Sequence, residues 1–385
     1  MGVAADRTMT SGVIIHPFSG RSPAARAPEG PDRLEDKAAL AQFTLERLMA
    51  YGVHHPDAVE LRGRVTAGEA WRAAATDLAA DCLAPPEASV APASAATEAN
   101  RYYRASALLR MSQVMMLSDD DQRRDIFARA ADLYRRAAAL TGDREPVIVE
   151  TEQGPLSGWW FPRRGGNAAG CAVVIGGLEA WAMDFDALGL ELAHRNVDTL
   201  VVDGPGQGES RMAHRHYLTK SWLRSYQGVF DHLAVRTGGA PLAVVGNSLG
   251  GATALRLASQ DARILACCDN CGPRAIGRPP PNVSLPGKLL AFCGDVAQEA
   301  AVEILQTLNP MAAGAAVSCP LLIVHGALDH LVSTEDARSL FDWAESIDKQ
   351  MVIYSDGDHC VYNHSDDKHN LIADWVADRL GAANK

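Results

Sequence analysis

Apolar positions along the chain hold a helical spacing over roughly the first third and then break into short runs. Ala38, Ala41, Leu45 and Leu48 predict a helix between Asp36 and Gly52, and Val65, Trp71 and Leu78 a second over Pro56 to Ala80. A Pro/Ala/Ser-rich stretch from Leu83 to Ala95 reads as a loop. Ala96 to Leu117, with Tyr102, Tyr103, Leu108, Leu109 and Met115, predicts a third helix. Asp119 to Leu140 predicts a fourth, on Ile126, Ala130, Leu133 and Ala137, with Asp119 or Asp120 as its N-cap. Gly142 and Pro146 end this helical region. Before it, residues 1–34 are rich in Gly, Pro, Ala and Ser and read as a loose arm.

Beyond residue 146 the pattern is that of strands alternating with helices. Val147–Thr151 and Leu156–Phe161 bracket Gln153-Gly154-Pro155 as an opening hairpin. Further strands are expected at Cys171–Ile175, Thr199–Val202, Leu242–Val245, Ile264–Cys268, Leu321–Val324 and Met351–Tyr354. Helices fall between them at about Asp184–Arg195, Ser221–Arg236, Ala252–Ser259, Thr334–Ile347 and Leu371–Leu380. Buried strands separated by helices imply a mostly parallel, doubly wound α/β sheet. The expected organisation is therefore an arm (1–34), a helical cap (35–145) and an α/β catalytic domain (146–385). Cys271 to Ser318 is too long for a plain crossover. With Arg278-Pro279-Pro280-Pro281-Asn282 and a helical stretch near Glu299–Leu308, it reads as a lid-like insertion over the active site.

The strand Leu242–Val245 runs straight into Gly246-Asn247-Ser248-Leu249-Gly250 and then into a helix. A G-x-S-x-G pentapeptide gains meaning from that strand–turn–helix setting, which lifts the serine hydroxyl clear of the sheet. Ser248 is the expected nucleophile, and the Leu249 amide points to where an oxyanion would form. A serine nucleophile needs a base and a group to orient it. Asp329 follows strand Leu321–Val324 and His359 follows strand Met351–Tyr354, giving the chain order Ser…Asp…His. His325, His330, His364 and His369 are rival bases. His325 closes a strand, and His364 and His369 read as surface residues before the last helix. The loop Gly176-Gly177-Leu178-Glu179 is expected to bring a second oxyanion donor, the Leu178 amide with Gly177 as alternative, and to place Gly177 and Glu179 at the substrate. The adjacent Tyr102 and Tyr103 are expected to turn at least one ring toward the same cavity.

Composition narrows the classes of partner. The balance of 36 basic against 47 acidic residues gives a formal charge of −11, which argues against nucleic acid and anionic membranes. No apolar run is long enough to span a bilayer, and Met1–Arg21 lacks the basic-then-apolar pattern of a signal peptide. A cytoplasmic setting with eight reduced cysteines is expected. No metal is expected: His359, His364, His369 and Cys360 match no zinc spacing, and Cys268-x-x-Cys271 has no second pair. No cofactor is expected either. Asp203-Gly204-Pro205-Gly206-Gln207-Gly208-Glu209-Ser210 lacks the Lys-Ser/Thr ending of a phosphate loop and reads as a rigid turn beside the site.

The D-G-P-G-x-G-x-S turn, the Ser248 elbow, Asp329 and His359 together resemble the α/β-hydrolase superfamily across residues 146–385. Asn100-Arg101-Tyr102-Tyr103-Arg104-Ala105-Ser106, the Gly176–Glu179 loop and Asp356-Gly357-Asp358-His359-Cys360 resemble one subgroup of it. That subgroup holds 2,6-dihydroxypseudooxynicotine hydrolase and the FrsA-like esterases, with fungal polyketide-shortening hydrolases as relatives. The resemblance implies hydrolysis of a carbon–carbon bond beside a ketone in a small carbonyl substrate, or of an ester. It also implies a homodimer and a helper glutamate after the sixth strand; here that region is Pro-rich, and neither Glu299 nor Glu303 can be placed in that role. Acyl transfer or cyclisation would use the same machinery if water were excluded. A binding protein on this scaffold is the remaining alternative, and an intact triad weighs against it.

Overall fold

The computed structural model describes residues 33–84, 92–166, 169–276 and 285–383. Residues 278–282 of the insertion and nearly all of the expected N-terminal arm lie outside them. Six helices come first: α1 Leu34–Gln42, α2 Leu45–Ala50, α3 His55–Thr66, α4 Trp71–Leu83, α5 Ala95–Ser112 and α6 Asp121–Thr141. Two helices expected to be continuous are each split. The Thr44 hydroxyl accepts the Arg47 amide and starts α2 afresh as its N-cap. Gly68, at φ 100°, follows the end of α3, and Asp36 then caps α4 by accepting the Trp71 amide at 2.9 Å. α5 stops at Ser112 rather than Leu117. α6 begins and ends as its sequence signals indicate, with Asp120 accepting the Arg123 amide at 2.8 Å and Gly142 in the left-handed region at φ 67°.

The rest is an eight-stranded sheet: β1 Glu145–Val149, β2 Leu156–Phe161, β3 Gly170–Ile175, β4 Val197–Val202, β5 Leu242–Asn247, β6 Ile264–Asn270, β7 Leu321–Gly326 and β8 Lys349–Tyr354. Their order is β1-β2-β4-β3-β5-β6-β7-β8. β1 and β2 form the expected hairpin, β2 lies antiparallel to β4, and β4 to β8 are all parallel. Helices α7 Asp186–His194, α8 Gly208–Met212, α9 Trp222–Thr237, α10 Leu249–Ala258, α11 Leu285–Phe292, α12 Gln298–Gln306, α13 Thr334–Trp343 and α14 Ser365–Ala383 complete the described chain. α8 stands where only a turn was expected. It forms because Asp203, at the end of β4, accepts the Glu209 amide at 2.9 Å and so caps its first turn. α14 starts six residues earlier than expected, and its His369 is buried at 7 % exposure rather than lying at the surface. No helix among the described residues is long and apolar enough to cross a membrane.

Alternating strand residues feed two apolar layers. Cys171, Val173 and Ile175 of β3 meet Trp222, Val229 and Phe230 of α9 on one face. Ala172 and Val174 belong to the other layer, which continues without a break into the N-terminal helices. There Phe127 of α6 tilts against Trp181 (ring centroids 4.4 Å), and Tyr134 meets Trp159 of β2 edge-on (4.5 Å). Arg110 of α5, 1 % exposed, pairs with Asp184 and donates to the Tyr51 carbonyl at 3.0 Å. These contacts seat α2 and α5 over the loop that follows β3, at the end of the sheet where the parallel strands finish.

Candidate active site

β5 turns into α10 through Ser248, whose φ of 57° and ψ of −122° no bulky residue adopts without strain. The turn is possible because glycine flanks it. A Cβ on Gly246 would overlap the Gly250 carbonyl, and a Cβ on Gly250 would overlap the carbonyls of Ile175 and Gly176. The Ser248 amide donates to the Asn270 carbonyl of β6 at 2.8 Å, which ties the elbow to the neighbouring strand.

The loops after β7 and β8 bring the two partners to it. His359 Nε2 lies 2.9 Å from Ser248 Oγ, and His359 Nδ1 lies 2.7 Å from Asp329 Oδ2. The other Asp329 oxygen accepts the amides of Leu331 (2.8 Å) and Val332 (3.0 Å). Burial works to raise the Asp329 pKa, but His359 and these amides outweigh it and hold the carboxyl below its ordinary value. His359 is followed by Cys360 and Val361 with φ of 63° and 54°. That contorted segment is pinned by Lys368, which donates to the Cys360 carbonyl at 2.9 Å, and by Asp358, which accepts the Tyr362 amide at 2.6 Å.

The loop after β3 closes over the serine. A Cβ on Gly177 would come within 3.1 Å of the Ser248 Cβ, so only glycine lets the loop approach this closely without displacement. Gln207 holds the loop, its Nε2 donating to the carbonyls of Gly176 (2.7 Å) and Gly177 (2.6 Å) while its Oε1 accepts the Gly204 amide (2.9 Å). The turn after β4 is thus a brace for the loop. Among the described residues, the Leu178 and Leu249 amides donate no hydrogen bond. Leu249 is also the first residue of α10, where unpaired amides and the helix dipole favour negative charge.

A cavity of about 120 Å³ opens on Ser248 and His359. Its walls include Arg47, Tyr51, Leu178, Lys288 and Tyr362. Tyr102 and Tyr103 are not among them. The helix carrying them packs otherwise: Tyr103 tilts against Tyr134 (5.9 Å), and Tyr102 lies beneath Arg136 (5.9 Å). The aromatic wall is instead Tyr51 and Tyr362, whose hydroxyls meet at 2.7 Å. Asn247 donates to Tyr362 Oη (3.2 Å), so the wall is joined to the residue before the serine.

Glu179 lines the cavity, but its carboxylate is engaged by Arg123 (2.9 Å) and Arg211 (3.3 Å). Glu299 and Glu303 are exposed on α12, Glu303 pairing with Lys220, and neither lines the cavity. Cys271, His325 and Asp329 bring potential ligand atoms within 4.8 Å of one another. Both Asp329 oxygens are already committed to His359 and the two amides, which leaves this trio no idle carboxylate oxygen. Arg47, Tyr51, Tyr362 and Lys288 escaped the sequence reading because no motif surrounds them. A lysine inside the apolar run Leu285–Phe292 was the one signal available.

The model of the alpha/beta hydrolase family matches residues 156–370. The chain is 26 % identical over 289 residues to the 2,6-dihydropseudooxynicotine hydrolase of Paenarthrobacter nicotinovorans, covering 73 % of this chain and 77 % of that protein. The crystal structure of the 2,6-dihydroxy-pseudo-oxynicotine hydrolase superposes with a TM-score of 0.73 at 22 % identity, covering 88 % of this chain and 97 % of that one. AbyA5 superposes with a TM-score of 0.67 at 15 % identity, covering 91 % and 100 %. The match to the family model takes in β2, the Ser248 elbow and both histidine- and aspartate-bearing loops, and the chain belongs to the alpha/beta hydrolase family.

Proposed function

We propose that this protein is a serine-dependent hydrolase that cleaves a carbon–carbon bond beside a ketone in a small aryl-ketone or polyketide-like substrate. The observation that carries the reading is the unbroken hydrogen-bond chain from Ser248 through His359 to Asp329. The likeness to a 2,6-dihydropseudooxynicotine hydrolase over most of both chains supports the bond type.

Ser248 Oγ attacks the ketone carbon as His359 Nε2 takes its proton, and Asp329 stabilises the imidazolium. The carbonyl oxygen becomes an oxyanion received by the amides of Leu178 and Leu249. Collapse of that intermediate breaks the carbon–carbon bond, and the departing carbanion, delocalised into a ring or second carbonyl, takes the proton from His359. Water, deprotonated by His359, then releases the acyl group as a carboxylic acid and restores Ser248. In this reading residues 35–145 form a cap that completes the cavity, residues 271–318 form a lid bearing Lys288, and the enzyme acts in the cytoplasm without cofactor. Ester or lactone hydrolysis is the second reading, favoured by the position of Glu299 and Glu303 away from the cavity.

A fluorophosphonate probe is expected to label Ser248 and no other serine, as mapped by mass spectrometry. Against a panel of aryl ketones, β-diketones and simple esters, kcat/KM for the best ketone should exceed that for the esters by about tenfold or more, a difference of about 1.4 kcal/mol in transition-state stabilisation. Faster turnover of the esters would favour the second reading. Assembly is open to the same preparation. Leu34, Met49, Val59 and Leu140 leave apolar surface exposed on the helical region, and we propose that they seat a second copy of the chain. Light scattering across a dilution series is expected to show a dimer; a lone 41.1 kDa species would refute it.

A further inference from the structure

Helix α11 buries Phe292 and, unusually for a surface helix, its lysine as well. Its one ionisable residue, Lys288, is 5 % exposed, while the neighbouring Leu289 and Leu290 are only half-buried. Lysine is almost never buried without a partner, because desolvating an ammonium costs more than an apolar stem returns. Among the described residues, Lys288 Nζ has neither an ion pair nor a hydrogen bond. Nζ lies over the Phe43 ring, 5.9 Å from its centroid. Glu179 is the carboxylate whose field it feels, but both Glu179 oxygens are taken by Arg123 and Arg211. Those two arginines also share Asp119. Arg47, another cation in the cavity wall, donates to the Gln42 carbonyl (3.1 Å) and the Tyr51 hydroxyl (3.3 Å), while its buried Nε has no partner. Lys288 is thus left with N–H donors unspent beside a cavity that also opens on Ser248.

The charges around it point the same way. Arg123 and Arg211 pair with the carboxylates Glu179 and Asp119, while Arg47 and Lys288 add two cations to the cavity wall and Asp329 is committed to His359, in a protein whose net charge is −11. An anion entering the cavity meets this field at short range and low dielectric, where it is far stronger than in water.

We infer that Lys288 is a substrate-recognition residue that receives an oxyanion carried by the substrate, selecting molecules with an ionised phenol, enol or carboxylate. The inference rests on the proposed hydrolase reading. In carbon–carbon cleavage an acidic phenol or enol is also the kind of group into which the departing negative charge delocalises. Lys288 would then hold the substrate in register and stabilise the leaving fragment while His359 supplies the proton. Burial, with Arg47 and Arg123 adding repulsion and Glu179 opposing them, pushes the Lys288 pKa down to about 8. Deprotonation removes the positive charge, so recognition should weaken as the pH rises past that value. His330, His359, Tyr51 and Tyr362 also face the cavity, so the lysine's share is read from the variant and not from the profile alone.

The probe is 4-nitrophenol, whose ionisation is visible in its absorbance, bound to full-length Ser248→Ala protein so that no turnover interferes. The bound phenol is expected to ionise at a pH lower than the free phenol by about one unit or more, the scale of shift produced by an adjacent opposite charge. Adding Lys288→Met should remove the shift, and Lys288→Arg should retain most of it. Lys288→Met replaces a buried cation with an isosteric apolar chain, and a thermal melt confirms that it folds. Benzoate that displaces the bound phenolate assigns a carboxylate-bearing substrate, and failure to displace it assigns a phenol or enol. A shift that survives Lys288→Met, or no saturable binding to protein that retains Lys288, overturns the inference. Because the signal is binding, it is separable from the hydrolase reading, which fails instead if Ser248→Ala leaves turnover intact.

Discussion

Ser248→Ala and His359→Ala are each expected to lower kcat by roughly 10⁴-fold or more, with little loss of folding. The size follows from the geometry. Ser248 Oγ has His359 Nε2 at 2.9 Å as its proton acceptor, and the imidazole has Asp329 at 2.7 Å to fix its orientation and tautomer. Removing either end of the Ser–His pair leaves only the binding cavity and the oxyanion donors. The two substitutions should therefore be far from additive, the double variant being scarcely slower than either single one. Stability should hardly change, because the elbow is kept by the Ser248 amide's bond to Asn270 and by Gly246 and Gly250, none of which depends on the hydroxyl. Steady-state kinetics on one shared substrate, with a thermal melt of each variant, make the check. Near-native turnover in either variant would remove that residue from the proposed mechanism.

What could be read in the chain beforehand was what is local in sequence. The elbow is legible because its requirements, a strand, a strained serine, two glycines that admit neighbouring carbonyls and a helix, fall within a dozen residues. Asp329 and His359 are legible because each directly follows an apolar strand. The cavity wall is not local: Arg47 and Tyr51 come from the region of α2, Lys288 from α11 and Tyr362 from the segment after β8. Tyr102 and Tyr103 show the limit from the other side. Neighbours on a helix diverge by about 100°, but the pattern does not say which way the helix is rotated against the sheet. The structure turns Tyr103 onto Tyr134 and Tyr102 toward Arg136, and gives the cavity to Tyr51. The split of the early helices was likewise hidden, since Asp36 caps α4 from 35 residues away.

Arg110→Met is expected to destabilise the protein by about 3–5 kcal/mol, the cost of leaving one member of a buried ion pair without its partner. Arg110 and Asp184 have side chains 1 % and 2 % exposed, and they join α5 to the segment just after the β3 loop. Burial already raises the Asp184 pKa, with Arg110 and the Trp181 amide opposing it. Without the guanidinium, that carboxylate keeps the Trp181 amide at 2.8 Å but loses its cation. The Tyr51 carbonyl also loses a donor, and Tyr51 is part of the cavity wall, so kcat/KM should fall along with stability. Arg136→Met, at a pair 57 % and 54 % exposed, is the matched control and should cost no more than about 1 kcal/mol. A carboxyl whose folded pKa is raised contributes stability that is fully present below its unfolded pKa and is lost as the pH rises through the folded one. Removing Arg110 raises the folded value further, so the deficit of the variant should shrink as the pH is lowered into that window. Asp184→Asn in the same background should recover part of the loss at neutral pH by removing the orphaned charge. Urea unfolding of the four proteins at two pH values decides it: a deficit for Arg110→Met no larger than that of the exposed control would mean the pair does not hold the helical region to the sheet.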